Sequence, residues 1–346
     1  MKQLLKKLVN TSGVSGNEHR IRETIRKEIA DHADEIEEDN MGNLIARKNP
    51  EADKTLLLDA HMDQIGLAVR RIDEEGFLRI SSVGGIYPVS VANQRVNIHT
   101  SEGEDIKGVI GMRPAHVVQG ENQGLPDMNK IFVDIGAEDK QDVLDKGIRV
   151  GDYISYDTGF EELANDYVTG PALDNRVGCT LLIDAFKNFD ESYEMIALFS
   201  SQEEIGGKGV KTSVFGLEPD VAVSLEVSQA GDVPHIDVDE SDEYTGQGFG
   251  ITMIEEGGRA ITVPEPVRNW LIDTAEEKDY NYKRKLYDRG KTNAAQIRFL
   301  KEGIPAGVVV IPTRHIHSPV ETVKMSDIEK TTEYVSDIFD TFPQYF

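Results

Sequence analysis

The chain has 346 residues, 39% hydrophobic and 29% charged, a soluble globular balance with room for one large domain or two of ordinary size. Its 62 acidic residues against 37 basic ones leave a net charge of −25, which argues against nucleic acid and anionic membranes as partners. One cysteine, Cys179, excludes disulfide stapling within the chain and makes the cytoplasm the natural compartment.

No apolar run approaches the roughly 18–20 residues that span a bilayer. The opening MKQLLKKLVN reads as an amphipathic helix and not as a signal peptide. A second helix is expected over 16–33, where Ile21, Ile25 and Ile29 form one apolar stripe. Gly42 and Asn43 then read as a turn before two short strands, 43–47 and 55–59. From about 67 to 167 the pattern changes to short alternating strands (77–80, 95–98, 152–156) separated by glycine turns. One helical piece falls near 139–146, and 120–129 reads as a mobile loop. Helical patterns follow at 173–186, 267–277, 293–300 and 326–339. Among them lie the strand-like runs 195–200, 221–225 and 306–311. Cys179, within VGCTLLIDAF, reads as a small buried apolar residue.

Strands nearly continuously apolar and alternating with helices indicate an α/β three-layer sandwich with a largely parallel sheet, built from 1–66 and 168–346. Residues 67–167 form a small β-rich, barrel-like insertion.

Ligands of an open α/β sheet collect beyond the carboxyl ends of its strands. The run at 55 ends in His61-Met62-Asp63, and the run at 195 ends in Glu203-Glu204-Ile205-Gly206-Gly207. The run at 221 leads into Glu226, and the run at 306 leads to His315-Ile316-His317. Asp174 opens a helix, where an acid is by default a cap. Singly, His61 reads as a core histidine and Glu226 as a strand-end acid. Together, two imidazoles and three carboxylates at one rim fit a two-metal site, with zinc or cobalt the ions such donors accept. Two adjacent acids repel, so stability alone does not place Glu203 beside Glu204. One of them can bind metal while the other moves a proton between water and a leaving amine. Gly206 and Gly207 give that corner its backbone freedom. Asp63 is suited to orienting the His61 imidazole from behind.

The stretches DAHMDQIG (59–66), VTGPALDNRVG (168–178), SSQEEIGGKG (200–209), SLEVSQAGD (224–232) and IPTRHIHSPVE (311–321), in this order, resemble the tetrahedral (TET-type) metallo-aminopeptidases. That family includes glutamyl and deblocking aminopeptidases, and some members were once labelled endoglucanases. The resemblance implies two divalent ions per subunit, with His61 and Glu226 or His317 as terminal ligands and Asp174 bridging. It implies Glu204 as a further ligand, Glu203 as general base, and peptides as substrates. It also implies that the inserted β-rich unit is a dimerisation domain, and that dimers build a hollow dodecamer. Three positions depart from the family pattern. Glu226 stands where Asp is usual, Ser228-Gln229 replaces Thr-His, and Gly290-Lys291-Thr292-Asn293 ends in an amide instead of an acid. They bear on metal preference and substrate orientation. A carbohydrate hydrolase and a catalytically silent metal-binding assembly protein are the alternative readings. Arg259, Lys291, His99 and His315 are assigned structural or solvated roles.

Overall fold

The computed structural model describes residues 1–113, 127–288 and 290–346. A nine-stranded sheet forms its centre, in the order Glu35–Glu38, Leu44–Lys48, Glu194–Ser200, Thr55–His61, Val221–Gln229, Ala306–Thr313 and Phe249–Glu255. Ile261–Thr262 and Tyr282–Tyr287 both pair with the last of these. The four middle strands, Glu194–Ser200 through Ala306–Thr313, run parallel. Antiparallel pairs flank them, so the sheet is mixed with a parallel heart. Parallel strands need cover on both faces, and every residue of Glu194–Ser200 is buried.

Helix Leu173–Asn188 lies across Thr55–His61 and Val221–Gln229, and Met325–Tyr345 packs against it and against Glu265–Glu277. Lys2–Val9 and His19–Ile29 join this group, the latter burying Ile21, Ile25 and Ile29 as their spacing predicts. Lys208–Leu217 packs on Ala294–Ile297, which rests on Val221–Gln229 and Ala306–Thr313. The pattern expected over 293–300 thus yields only a short helix followed by turns.

Six antiparallel strands between Gly66 and Tyr156 close into a barrel with its own apolar core around Leu67, Ile98 and Val133. The helical piece near 139–146 is Lys140–Asp145, capped by Asp139, whose side chain accepts the Asp142 N–H. The loop expected at 120–129 lies, over 120–126, outside the described residues; Met128–Lys130 form a 3-10 turn. A small three-stranded sheet pairs Tyr167–Gly170 with Glu321–Lys324, so the approaches to Asp174 and His317 are hydrogen-bonded to each other. Gly42 has φ 82°, as a turn residue should. Asn43, however, is fully buried and reaches across the fold, accepting the Ser201 N–H at 2.8 Å and donating to Gly209 O at 3.1 Å.

Candidate metal centre

The parallel strands deliver their last residues to one rim. His61 closes Thr55–His61, Glu226 lies within Val221–Gln229, and the turn after Glu194–Ser200 carries Glu203 and Glu204. That turn is held from two sides. Gly206 and Gly207 take φ 113° and 61°, conformations that a side chain resists. From below, the Asp63 carboxylate accepts the Glu203 N–H at 2.9 Å and the Glu204 N–H at 3.2 Å, and takes the Ser15 hydroxyl at 2.5 Å. The sequence suggests Asp63 as the residue that orients His61. Its Oδ1 is 3.5 Å from His61 Nδ1, while its own backbone carbonyl sits nearer to that nitrogen, at 3.2 Å. The carboxylate therefore mainly shapes the paired-glutamate corner.

Asp174 is not the cap of its helix. It and Asn175 keep non-helical backbone angles, and Asn175 Oδ1 accepts the Gly178 N–H at 2.9 Å. With the capping done by Asn175, the Asp174 carboxylate turns into the rim. The same Asn175 donates from Nδ2 to Glu226 Oε2 and to Leu225 O, both at 2.8 Å. A Cβ on Gly178 would stand 2.3 Å from Leu225 O, so only glycine lets the helix approach the strand that carries Glu226.

The ligand-type atoms gather into two groups, His61–Asp174–Glu226 and Asp174–Glu204–His317, each with its atoms within 4.8 Å of one another. His61 Nε2 is 3.1 Å from Asp174 Oδ1 and 3.6 Å from Glu226 Oε2. His317 Nε2 is 3.3 Å from Glu204 Oε2 and 3.6 Å from Asp174 Oδ2. Asp174 belongs to both groups and Glu203 to neither. The four residues singled out at strand ends and Asp174 at the helix start thus meet at one place. Cys179 stays out of it, buried with its Sγ donating to His61 O.

Burial pushes the Glu203 carboxyl up to about 8, helped by the Asp63 and Asp174 charges and opposed by His61. Burial and neighbouring acids likewise raise Glu204, Glu226 and Glu321 far above the usual carboxylate range. Burial works against a charged His61, yet the Glu226, Asp174 and Asp63 carboxylates override it and hold its pKa high. Among the described residues, Glu226 Oε1 is buried with no hydrogen-bond partner. A crowd of acids that retains protons, an orphaned carboxylate oxygen and two imidazoles aimed at shared carboxylates fit a pair of divalent cations.

The rim opens into a cleft of about 490 Å³ whose far wall includes Ser228, Gln229, Glu255, Lys285, Lys291 and Thr292. Lys285 is nearly buried there, its Nζ 2.7 Å from Glu243 Oε2. Lys291 is solvent-exposed, as its residue type suggests, and also lines this cleft, whereas Arg259 does not line it. His99 lies elsewhere, between Ser12, Ser155 and Asp105 at 2.7–2.9 Å. His315 joins neither ligand group.

Two buried residues near the centre have roles that the sequence reading missed. Arg176, fully buried, donates to the Leu8, Thr11 and Met62 carbonyls and to Gln64 Oε1, tying the N-terminal helix to the His61 strand end. Glu321 accepts the Asp174 N–H at 2.8 Å and the His317 N–H at 2.9 Å. An acid closing the motif HSPVE in a buried strand is the one hint available for it.

A family model described as M42 glutamyl aminopeptidase matches residues 42–334. A putative aminopeptidase of Acetivibrio thermocellus is 36% identical over 334 residues, spanning 96% of each chain. Among solved structures, the aminopeptidase APDkam598 of the archaeon Desulfurococcus kamchatkensis superimposes with a TM-score of 0.94 at 33% identity, over 99% of this chain and 95% of that one. The TET1 peptidase of Pyrococcus horikoshii, described as assembling into a tetrahedron or a large octahedral shell, gives 0.87 at 29% identity, over 97% and 98%.

Proposed function

The chain belongs to the M42 glutamyl aminopeptidase family, and from that premise we propose that this peptide hydrolase is a dinuclear-metal aminopeptidase removing N-terminal residues from short peptides. The observation that carries the reading is the pair of three-residue groups sharing Asp174, with Glu203 beside them and outside both. His61 and Glu226 would hold one cation and Glu204 and His317 the other, with Asp174 available to both. Divalent ions such as zinc or cobalt, when bound there, would supply Lewis acidity toward the scissile carbonyl and the attacking water. Glu203 takes the water's proton on its carboxylate and delivers it to the leaving amine nitrogen. Its position is fixed through its backbone by Asp63, which makes Asp63 a positioning residue in this scheme. The carboxylates of the rim also offer the free N-terminal ammonium of a peptide its counter-charge.

We assign residues 67–167 to a dimerisation domain by analogy with the assembling relatives. The chain then forms dimers and a homo-oligomeric shell, a dodecamer in the tetrahedral case, acting on peptides in the cytoplasm. Among the described residues no helix is long and apolar enough to cross a membrane. A glucan hydrolase would need two carboxyls free to flank a sugar bond, whereas Asp174, Glu204 and Glu226 each lie within 3.6 Å of an imidazole nitrogen.

The deciding experiment is Glu203→Gln, assayed on a panel of aminoacyl-nitroanilides with elemental analysis alongside. Turnover should fall by about 10²–10⁴-fold, the worth of a general base, with metal content unchanged. Undiminished turnover removes Glu203 from the mechanism, and glucan hydrolysis that survives chelation replaces the peptidase reading.

A further inference from the structure

Glu321 stands where two chain segments converge. Its strand, Glu321–Lys324, pairs antiparallel with Tyr167–Gly170, the segment that runs into Asp174. The turn carrying His317 enters the same strand, with Arg314 bridged to Thr322. The carboxylate is 1% exposed and forks between them, Oε2 accepting the Asp174 N–H and Oε1 accepting the His317 N–H. Both segments need holding. Ala172 and His317 have φ 60°, a left-handed conformation that is strained for a residue with a Cβ. The His317 side chain is 41% exposed, so surrounding side chains do little to fix its imidazole. Asp174, by contrast, is the member common to both ligand groups.

We infer that Glu321 is a positioning residue for the metal pair, setting the place of the shared carboxylate and of the exposed imidazole through their backbones without touching a cation. The inference rests on the dinuclear reading above. It goes further in making the two cation positions unequal. The His61–Glu226 side is packed, with His61 2% and Glu226 5% exposed at the side chain, while the Glu204–His317 side depends on the Glu321 fork. A fork accepting two N–H groups needs two acceptor oxygens, and an amide has one. Glu321→Gln therefore releases either the Asp174 or the His317 backbone.

Cobalt(II) titration of chelator-stripped protein, followed by d–d absorption and elemental analysis, tests this. Wild type should take up two equivalents. Glu321→Gln should weaken the second about 10–100-fold and the first, which shares only Asp174 with the fork, by clearly less, with altered absorption bands. Glu321→Asp, with both acceptors on a shorter arm, should fall between them. Unchanged affinity and bands in Glu321→Gln overturn the inference. So does equal weakening of both equivalents in a variant with native circular dichroism, because a purely structural role would act on both. If the Gln variant does not fold, a folded Asp variant with wild-type second-ion affinity overturns it equally. Fewer than two equivalents in wild type defeats the dinuclear reading itself, a separate result.

Discussion

Asn293 presents its side-chain amide to Asp59 Oδ2 at 3.0 Å and to Ser200 Oγ at 2.8 Å, two residues upstream of His61 and beneath the rim. Asp59 is fully buried, and burial raises its carboxyl to about 6 despite those donors. An acid at position 293, as in the family pattern, would face Asp59 directly, and one of the two would have to keep a proton. The folded-state pKa of that pair would lie above its unfolded value. Its stabilising contribution is then complete below the unfolded pKa and is lost as pH rises through the folded one. Asn293→Asp should accordingly cost little near pH 4 and about 1–3 kcal/mol at pH 8 in metal-free protein, since a tenfold change in proton affinity between the folded and unfolded states is worth about 1.4 kcal/mol. Urea denaturation at the two pH values measures it, and a gap that does not widen with pH contradicts the argument. At this scale the sequence shows side chains that act on one another and hides those that act on backbone. His61, Asp174, Glu204, Glu226 and His317 are visible because each is a ligand type at a strand end or helix start. Glu321 is not, because its partners are backbone N–H groups, which carry no residue identity.

The elements that build the rim are legible where both faces are buried. Glu194–Ser200 and Ala306–Thr313 are apolar almost throughout, and only covered parallel strands have that composition. Tyr282–Tyr287, with the sequence YKRKLY, carries no such signal, since it lies at the edge of the sheet and is mostly solvent-facing. Yet it places Lys285 in the wall of the cleft. The start of helix Leu173–Asn188 looks like one motif in the sequence and is two in the fold. Asp174 turns into the site, and Asn175 caps the helix while bonding Glu226. This juncture yields an element-scale prediction. A methyl group on Gly178 would meet Leu225 O at 2.3 Å and Asn175 Oδ1 at 2.4 Å. Relief requires the helix to back away from the strand that carries Glu226. Gly178→Ala should destabilise the protein by about 1–3 kcal/mol, the usual cost of overpacking. It should also weaken metal retention against a chelator. A wild-type denaturation midpoint with wild-type metal content would mean that the helix and strand are not in tight register.

For the molecule as a whole, the crowding of Asp63, Asp174, Glu203, Glu204, Glu226 and Glu321 around two imidazoles makes stability depend on pH and metal together. Without cations, Glu203 is raised to about 8 and Glu204, Glu226, Glu321 and His61 lie above their ordinary values. All these groups bind protons more tightly folded than unfolded. Their contribution is complete below the unfolded pKa values and drains away as pH rises through the folded ones. Asp63, lowered against its own burial by the His61, Ser15 and Glu203 N–H contacts, acts only at the acid end, where stability falls as pH drops through its folded value. The chelated protein should therefore be less stable at pH 9 than at pH 6 by about 1 kcal/mol or more, because a single group that holds its proton tenfold more tightly in the folded state already contributes that much. Metal ligands bind as the deprotonated species, so affinity climbs over the same interval, and a ligand that binds only the folded state raises stability by mass action. The midpoints of loaded and chelated protein should thus diverge as pH increases, by several degrees between pH 6 and pH 9, in thermal scans at fixed protein concentration. Parallel curves would mean that the acids of the rim are paired with protein groups alone, and the case for cations at this site would lose its electrostatic basis.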